Sequence, residues 1–176
     1  MTAIVGIRDG KRVLLGADSM AVEGCGSKCV DVPKLWNWDK IIAGGAGPAH
    51  VLQAIHFLTD APKGRIPKAG PGLTCWVAMK LGPEIQKAAQ CAAKEDGDSD
   101  QWSLLLGIRG ELYELDCHGL AYRVSEYLAV GNGADTAMGA LYATAGMGPE
   151  ARAELALDAA SSRCIGVGGP HSYMST

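Results

Sequence analysis

The succession of strand-like and helix-like segments predicts an α+β fold in which antiparallel sheets are covered on their outer faces by helices. Three observations carry this. Two groups of short apolar runs, punctuated by Gly, Asp and Asn, are each followed by a pair of helical stretches. Within each group the runs succeed one another through tight turns, as antiparallel neighbours do, and do not alternate singly with helices as βαβ units would. A chain of 176 residues with 48% apolar composition also suits one domain, 1–176, with a sizeable core.

The first group opens with IVGI and RVLLGA, between Ile4 and Asp18, joined at Asp9-Gly10, a strong two-residue hairpin signal. The stretch from Ala21 to Val32, rich in Gly, Cys and Lys, reads as a loop or ragged ribbon. Strands follow at Lys34 to Trp38 and Ile41 to Ala43, with Asp39-Lys40 as their turn. Gly44-Gly45-Ala46-Gly47-Pro48 reads as a glycine turn feeding a helix whose apolar stripe is Val51, Leu52, Ile55 and Leu58, with Pro48 near its first turn. A second helical segment spans about Leu73 to Lys94, with Gly82-Pro83 expected to kink or split it, and the acidic tract Glu95 to Asp100 is its exit loop.

The second group, Trp102 to Ile108, Glu111 to Asp116 and Leu120 to Val124, reads as an antiparallel meander. A further strand at Tyr127 to Val130 runs into Gly131-Asn132-Gly133. Two Ala-rich helices follow, about Ala134 to Ala145 and Pro149 to Ser162, and a last short strand is expected after Ile165.

Bulk properties exclude several functions. The net charge of -3 and scattered basic residues provide no stripe to track phosphates, so nucleic acid is not expected as a partner. No apolar run approaches the roughly 18 residues of a spanning helix, and the start lacks the order of a signal peptide, so the expected location is cytoplasmic. Six cysteines then read as free thiols. Cys25 and Cys29 form a close pair, but no second Cys or His pair follows at zinc-like spacing, and the four histidines show none, so no metal is expected.

The chemistry lies at the chain start. Thr2 directly follows Met1, and removal of Met1 would give Thr2 a free α-amine. A threonine hydroxyl is a weak nucleophile at neutral pH, but an N-terminal threonine carries its own base, because an α-amine has an ordinary pKa of about 7.7–8.0. With Asp9 and Gly10 as the hairpin loop, paired residue numbers sum to about 19. Thr2 would then face Ala17, and Asp18 would arrive beside the chain start.

The opening MTAIVGIRDGKRVLLGADSM resembles that of proteasome β-subunits and of HslV, the bacterial peptidase that works with an ATP-driven unfoldase. In those N-terminal nucleophile (Ntn) hydrolases an Asp follows the nucleophilic Thr by sixteen residues and a Lys follows after sixteen more, the spacing of Thr2, Asp18 and Lys34. Ile41-Ile42-Ala43-Gly44 with Gly45-Ala46-Gly47 looks like the family's strand-to-helix turn that supplies an oxyanion-hole amide. Val130-Gly131-Asn132-Gly133 looks like its Gly-Ser-Gly turn, with Asn132 in place of Ser. Ala156 to Ala160 with Cys164-Ile165 resembles the HslV C-terminal helix, although the acidic residue usual near that helix end is not in place.

The resemblance implies an αββα sandwich of two antiparallel sheets flanked by helix pairs. It also implies threonine-type endopeptidase activity on unfolded polypeptides within stacked homo-oligomeric rings. The implied site is Thr2, Asp18, Lys34, Gly45, Gly47 and Asn132. No cofactor is expected for catalysis, and ATP would enter only through a partner AAA+ unfoldase. An inactive ring subunit of the same fold, or an Ntn amidohydrolase acting on small amides, stays open as an alternative.

Overall fold

In the computed structural model, which describes residues 1–23, 26–29, 33–62, 65–92 and 101–176, the chain opens as a hairpin of β1 (Ile4–Asp9) and β2 (Arg12–Ala17). Its closing pair is Asp9↔Arg12 and its loop Gly10-Lys11, so paired numbers sum to 21 rather than 19. The expected Asp9-Gly10 loop is therefore corrected by one step. Gly10 alone takes a positive φ (60°), as the first loop residue of a type II′ turn, the other placement that glycine favours in hairpins. The strand β10 (Tyr127–Val130) pairs with the free edge of β1, and β11 (Ser172–Ser175) pairs with that of β2. The resulting four-stranded sheet has the order β10-β1-β2-β11.

A second, five-stranded sheet is an antiparallel meander of β5 (Leu35–Trp38), β6 (Ile41–Ala46), β7 (Ser103–Ile108), β8 (Glu111–Asp116) and β9 (Ala121–Val124). The expected ribbon after Asp18 is a two-stranded hairpin, β3 (Met20–Glu23) with β4 (Gly26–Cys29). Cys25 and the tract 95–100 lie outside the described residues.

The alternation of each strand sorts its side chains into three apolar layers. From β1, Val5 and Ile7 join Ala129, Leu141 and Leu157 beneath helices α4 (Ala134–Ala143) and α5 (Pro149–Arg163). Ile4, one step out of phase, turns the other way and meets Leu105 and Leu112 between the sheets. In β7, Leu104, Leu106 and Ile108 face Val51, Ile55, Leu81 and Ile85 of the other helical layer. That layer is α1 (Ala49–Leu58), α2 (Pro71–Trp76), a π turn over Val77–Leu81, and α3 (Gly82–Gln90). The architecture is thus the αββα sandwich.

One helical expectation needs correction: Leu58 is exposed, and Ala54 takes the buried place beside Val51 and Ile55. The second helical segment is divided at Gly82-Pro83 as expected: the Gly82 amide bonds to the Val77 carbonyl, widening one turn ahead of the proline, which then sits at the start of α3 where its missing N–H costs little. Among the described residues no helix is long and apolar enough to cross a membrane.

Candidate active site

The register brings Asp18 to the chain start by backbone pairing. Ala3 faces Asp18, whose amide bonds to the Ala3 carbonyl at 3.2 Å. The Ala3 amide returns a bond to Asp18 Oδ1 at 3.0 Å. The Asp18 side chain is only 1% exposed, and each of its oxygens takes two hydrogen bonds. Oδ1 also receives Lys34 Nζ at 2.7 Å, while Oδ2 receives the amides of Met20 at 3.1 Å and Gly168 at 3.2 Å. A buried carboxylate held by four donors is a fixed anion.

Lys34, one residue before β5, points its ammonium at this anion, at the Met20 carbonyl (2.7 Å) and at the Met1 carbonyl (3.5 Å). Burial lowers its pKa from the ordinary 10.5, and the hydrogen bond and charge of Asp18 oppose that shift. The Thr2 hydroxyl, on a residue 7% exposed, donates to the same Met1 carbonyl oxygen at 2.6 Å. The hydroxyl and the ammonium therefore meet on one oxygen atom, at the bond that joins Met1 to Thr2.

Thr2 is strapped on its other side by the turn between β10 and α4, where the Gly133 amide donates to the Thr2 carbonyl at 3.2 Å. A Cβ on Gly131 would lie 2.4 Å from that carbonyl oxygen, and its φ is +95°, so glycine is required there twice over.

The structure brings Thr2, Asp18 and Lys34 together and treats the other predicted site residues differently. The expected glycine turn is mostly strand, since β6 runs through Gly44 and Gly45 to Ala46, and only Gly47 and Pro48 lie between strand and helix. The Gly45 amide is taken up by the Lys34 carbonyl at 3.1 Å, so it is not available as an oxyanion donor. Alternation along the strand puts the next amide on that edge at Gly47. There a φ of +153° and Trp102 Cβ, 2.7 Å from where a Cβ would sit, admit glycine alone. Asn132 is exposed and directs Nδ2 to the Met1 sulfur at 3.5 Å, not to Thr2.

Sequence reasoning missed Gly168, Gly131 as the seat of the Thr2 carbonyl, and the Met20 carbonyl as a ligand of Lys34. Gly166-Val167-Gly168-Gly169-Pro170, a glycine cluster after the last helix, was the available signal for the first. Backbone carbonyls leave none.

Comparison with models of protein families gives no match, and neither does comparison with curated protein sequences. Comparison with solved structures does. BPH from Thiobacillus denitrificans superposes with a TM-score of 0.78 at 19% identity, over 99% of this chain and 97% of that one. It is also solved in complex with epoxomicin, at a TM-score of 0.76 and 17% identity, with the same coverage. Eukaryotic HslV from Trypanosoma brucei gives 0.77 at 20% identity, over 98% of each chain. The Anbu complex from Pseudomonas aeruginosa, solved as a helical assembly, gives 0.74 at 15% identity, over 99% of this chain and 80% of that one. Over its described residues the chain shares the αββα fold of HslV and of these other solved structures.

Proposed function

We propose that this chain is a threonine endopeptidase acting through Thr2 once Met1 has been removed. The observation that carries the proposal is the buried Asp18 carboxylate binding both Lys34 and the backbone beside Thr2, contacts that do not involve Met1. In the reaction the Thr2 oxygen attacks a peptide carbonyl, its proton passing to the Thr2 amine directly or through water. The Gly47 amide receives the developing oxyanion, a donation worth about 2.7–4 kcal/mol where geometry is good. The amine half of the substrate leaves with that proton, and water hydrolyses the Thr2 ester. Lys34 favours the ionised oxygen, and Asp18 keeps Lys34 charged and in place.

Substrates on this reading are unfolded polypeptides, and the working form is a cytoplasmic homo-oligomer of stacked rings served by an AAA+ unfoldase. Support for assembly comes from the fold shared with Anbu, which forms a helical assembly. The scheme assigns every chemical role to groups of the chain and asks for no cofactor.

A second reading, an inactive ring subunit, is favoured by Asn132 resting on Met1 without a bond to Thr2. Intact-mass measurement and labelling with an N-terminal-threonine-directed epoxyketone separate the two. The peptidase loses Met1 and gains one probe per chain in the wild type, and loses labelling in Thr2→Ala and Lys34→Ala. Wild-type labelling of Thr2→Ala, or retention of Met1, sinks the proposal.

A further inference from the structure

We infer that His171 is a positioning residue for the Thr2 site: its ring, fastened to the end of helix α5, fixes the loop whose Gly168 amide holds Asp18. The inference rests on the proposed peptidase reading for its consequence in catalysis. The structural part stands on its own contacts.

The segment between α5 and β11 does two things at Gly168. Its amide binds Asp18 Oδ2 at 3.2 Å, and its carbonyl accepts the Ser19 amide at 3.0 Å. Ahead of Gly168 the segment is anchored by Val167, buried under α4 and α5 with its amide on the Cys164 carbonyl. Behind it, Gly169 has no side chain to pack, and Pro170 is exposed and offers no amide. The side chain that fastens this half is His171. Its ring is 11% exposed, places Nε2 3.2 Å from Ser161 Oγ, and holds Nδ1 3.7 Å from Asp158 Oδ1. The same ring flanks Gly169, with Cδ2 and Nε2 3.8 Å from where a Cβ there would sit.

Asp158, His171 and Ser161 have the residue types of a hydrolytic triad, but not its geometry. The 3.7 Å between His171 and Asp158 exceeds a hydrogen bond. Ser161 lies within α5, where its amide belongs to the helix and cannot serve a tetrahedral oxyanion. What remains is a bridge from helix to loop.

The test measures amide exchange at Gly168 together with the rate of epoxyketone labelling, in wild type, His171→Ala, His171→Gln, Ser161→Ala and the double alanine variant. Loss of one hydrogen bond's worth of restraint speeds Gly168 exchange in His171→Ala by about fivefold, with Leu105 in the core unchanged. Labelling slows by a similar factor at saturating probe. Ser161→Ala repeats both effects, the double variant adds nothing to either single one, and His171→Gln, whose amide reaches Ser161, restores them. Unchanged Gly168 exchange in His171→Ala, or additive effects, overturns the inference, as does labelling of Ser161 by a fluorophosphonate. Absence of labelling in the wild type instead defeats the Thr2 reading, while the exchange measurement still decides the role of His171.

Discussion

Replacing Asp18 by Asn keeps the shape of the side chain and removes its charge and one acceptor. The carboxylate takes the Ala3 amide and Lys34 on Oδ1, and the Met20 and Gly168 amides on Oδ2. An amide has one oxygen, so in its better orientation the oxygen stays with Ala3 and Lys34 and the NH2 group confronts two backbone donors. Each buried donor left unpaired costs about 1–3 kcal/mol, and removing one partner of a buried ion pair costs about 3–5 kcal/mol. These costs overlap, and Lys34, whose pKa burial already lowers, relieves part of the second by shedding its proton. The expected loss is about 3–5 kcal/mol, which for a domain of this size lowers Tm by about 6–20 °C. The measurement is thermal unfolding followed by circular dichroism at neutral pH, at one protein concentration for both proteins, since assembly would shift Tm by mass action. The pH dependence has a definite sign. A lysine with a lowered folded pKa binds fewer protons folded than unfolded between that pKa and 10.5, so its contribution to stability rises with pH there. Loss of Asp18 lowers that pKa further, so the gap between variant and wild type narrows on the alkaline side. A fall in Tm below about 3 °C, or a gap that widens with pH, refutes the picture of Asp18 as the fixed anion of this junction.

Lys34 predicts an alkaline limit to labelling. Because its pKa lies below 10.5, the epoxyketone rate falls as pH rises through a value below 10.5, and Lys34→Arg, charged throughout, loses that limb; a limb retained in Lys34→Arg assigns it to another group. Gly131→Ala forces a Cβ to within 2.4 Å of the Thr2 carbonyl oxygen at a φ of +95°. It should cost at least about 2 kcal/mol in urea unfolding and abolish labelling, whereas a loss under about 1 kcal/mol shows that the turn yields easily. Gly6→Ala touches neither Thr2 nor this turn and presses a Cβ to 2.9 Å from Leu112 Cδ1 and 3.1 Å from Leu105 Cδ1 between the sheets. Overpacking there costs about 1–3 kcal/mol while the labelling rate per folded molecule stays at the wild-type level, and a collapse of labelling would tie the inter-sheet spacing to the site.

What the sequence discloses here follows from how local each determinant is. The strands β7, β8 and β9, Glu111–Asp116 above all, emerge within a residue of their bounds because period-two alternation and glycine turns are written into contiguous residues. The hairpin is legible but its register is not, because Asp-Gly fits either of two turn types and only contacts beyond the turn choose between them. That ambiguity is nearly harmless for the site. A loop shifted by one position moves the residue facing Asp18 from Met1 to Ala3, and both flank Thr2, so the carboxylate arrives beside the chain start either way. The glycine run reads as a turn for the opposite reason. Gly44 and Gly45 let Leu35, Ile4, Leu52 and Trp36 come close, a packing demand from the strand before, the helix after and, in Ile4, a strand forty residues away, which a turn-like glycine run does not express. The same non-locality hid Gly168, which reaches Asp18 across 150 residues of chain by a backbone amide. Side-chain types mark Thr2, Asp18 and Lys34 because charge and nucleophilicity need particular residues. The groups that hold them are amides and carbonyls, which every residue carries, so their part in the site becomes visible only once the fold has placed them.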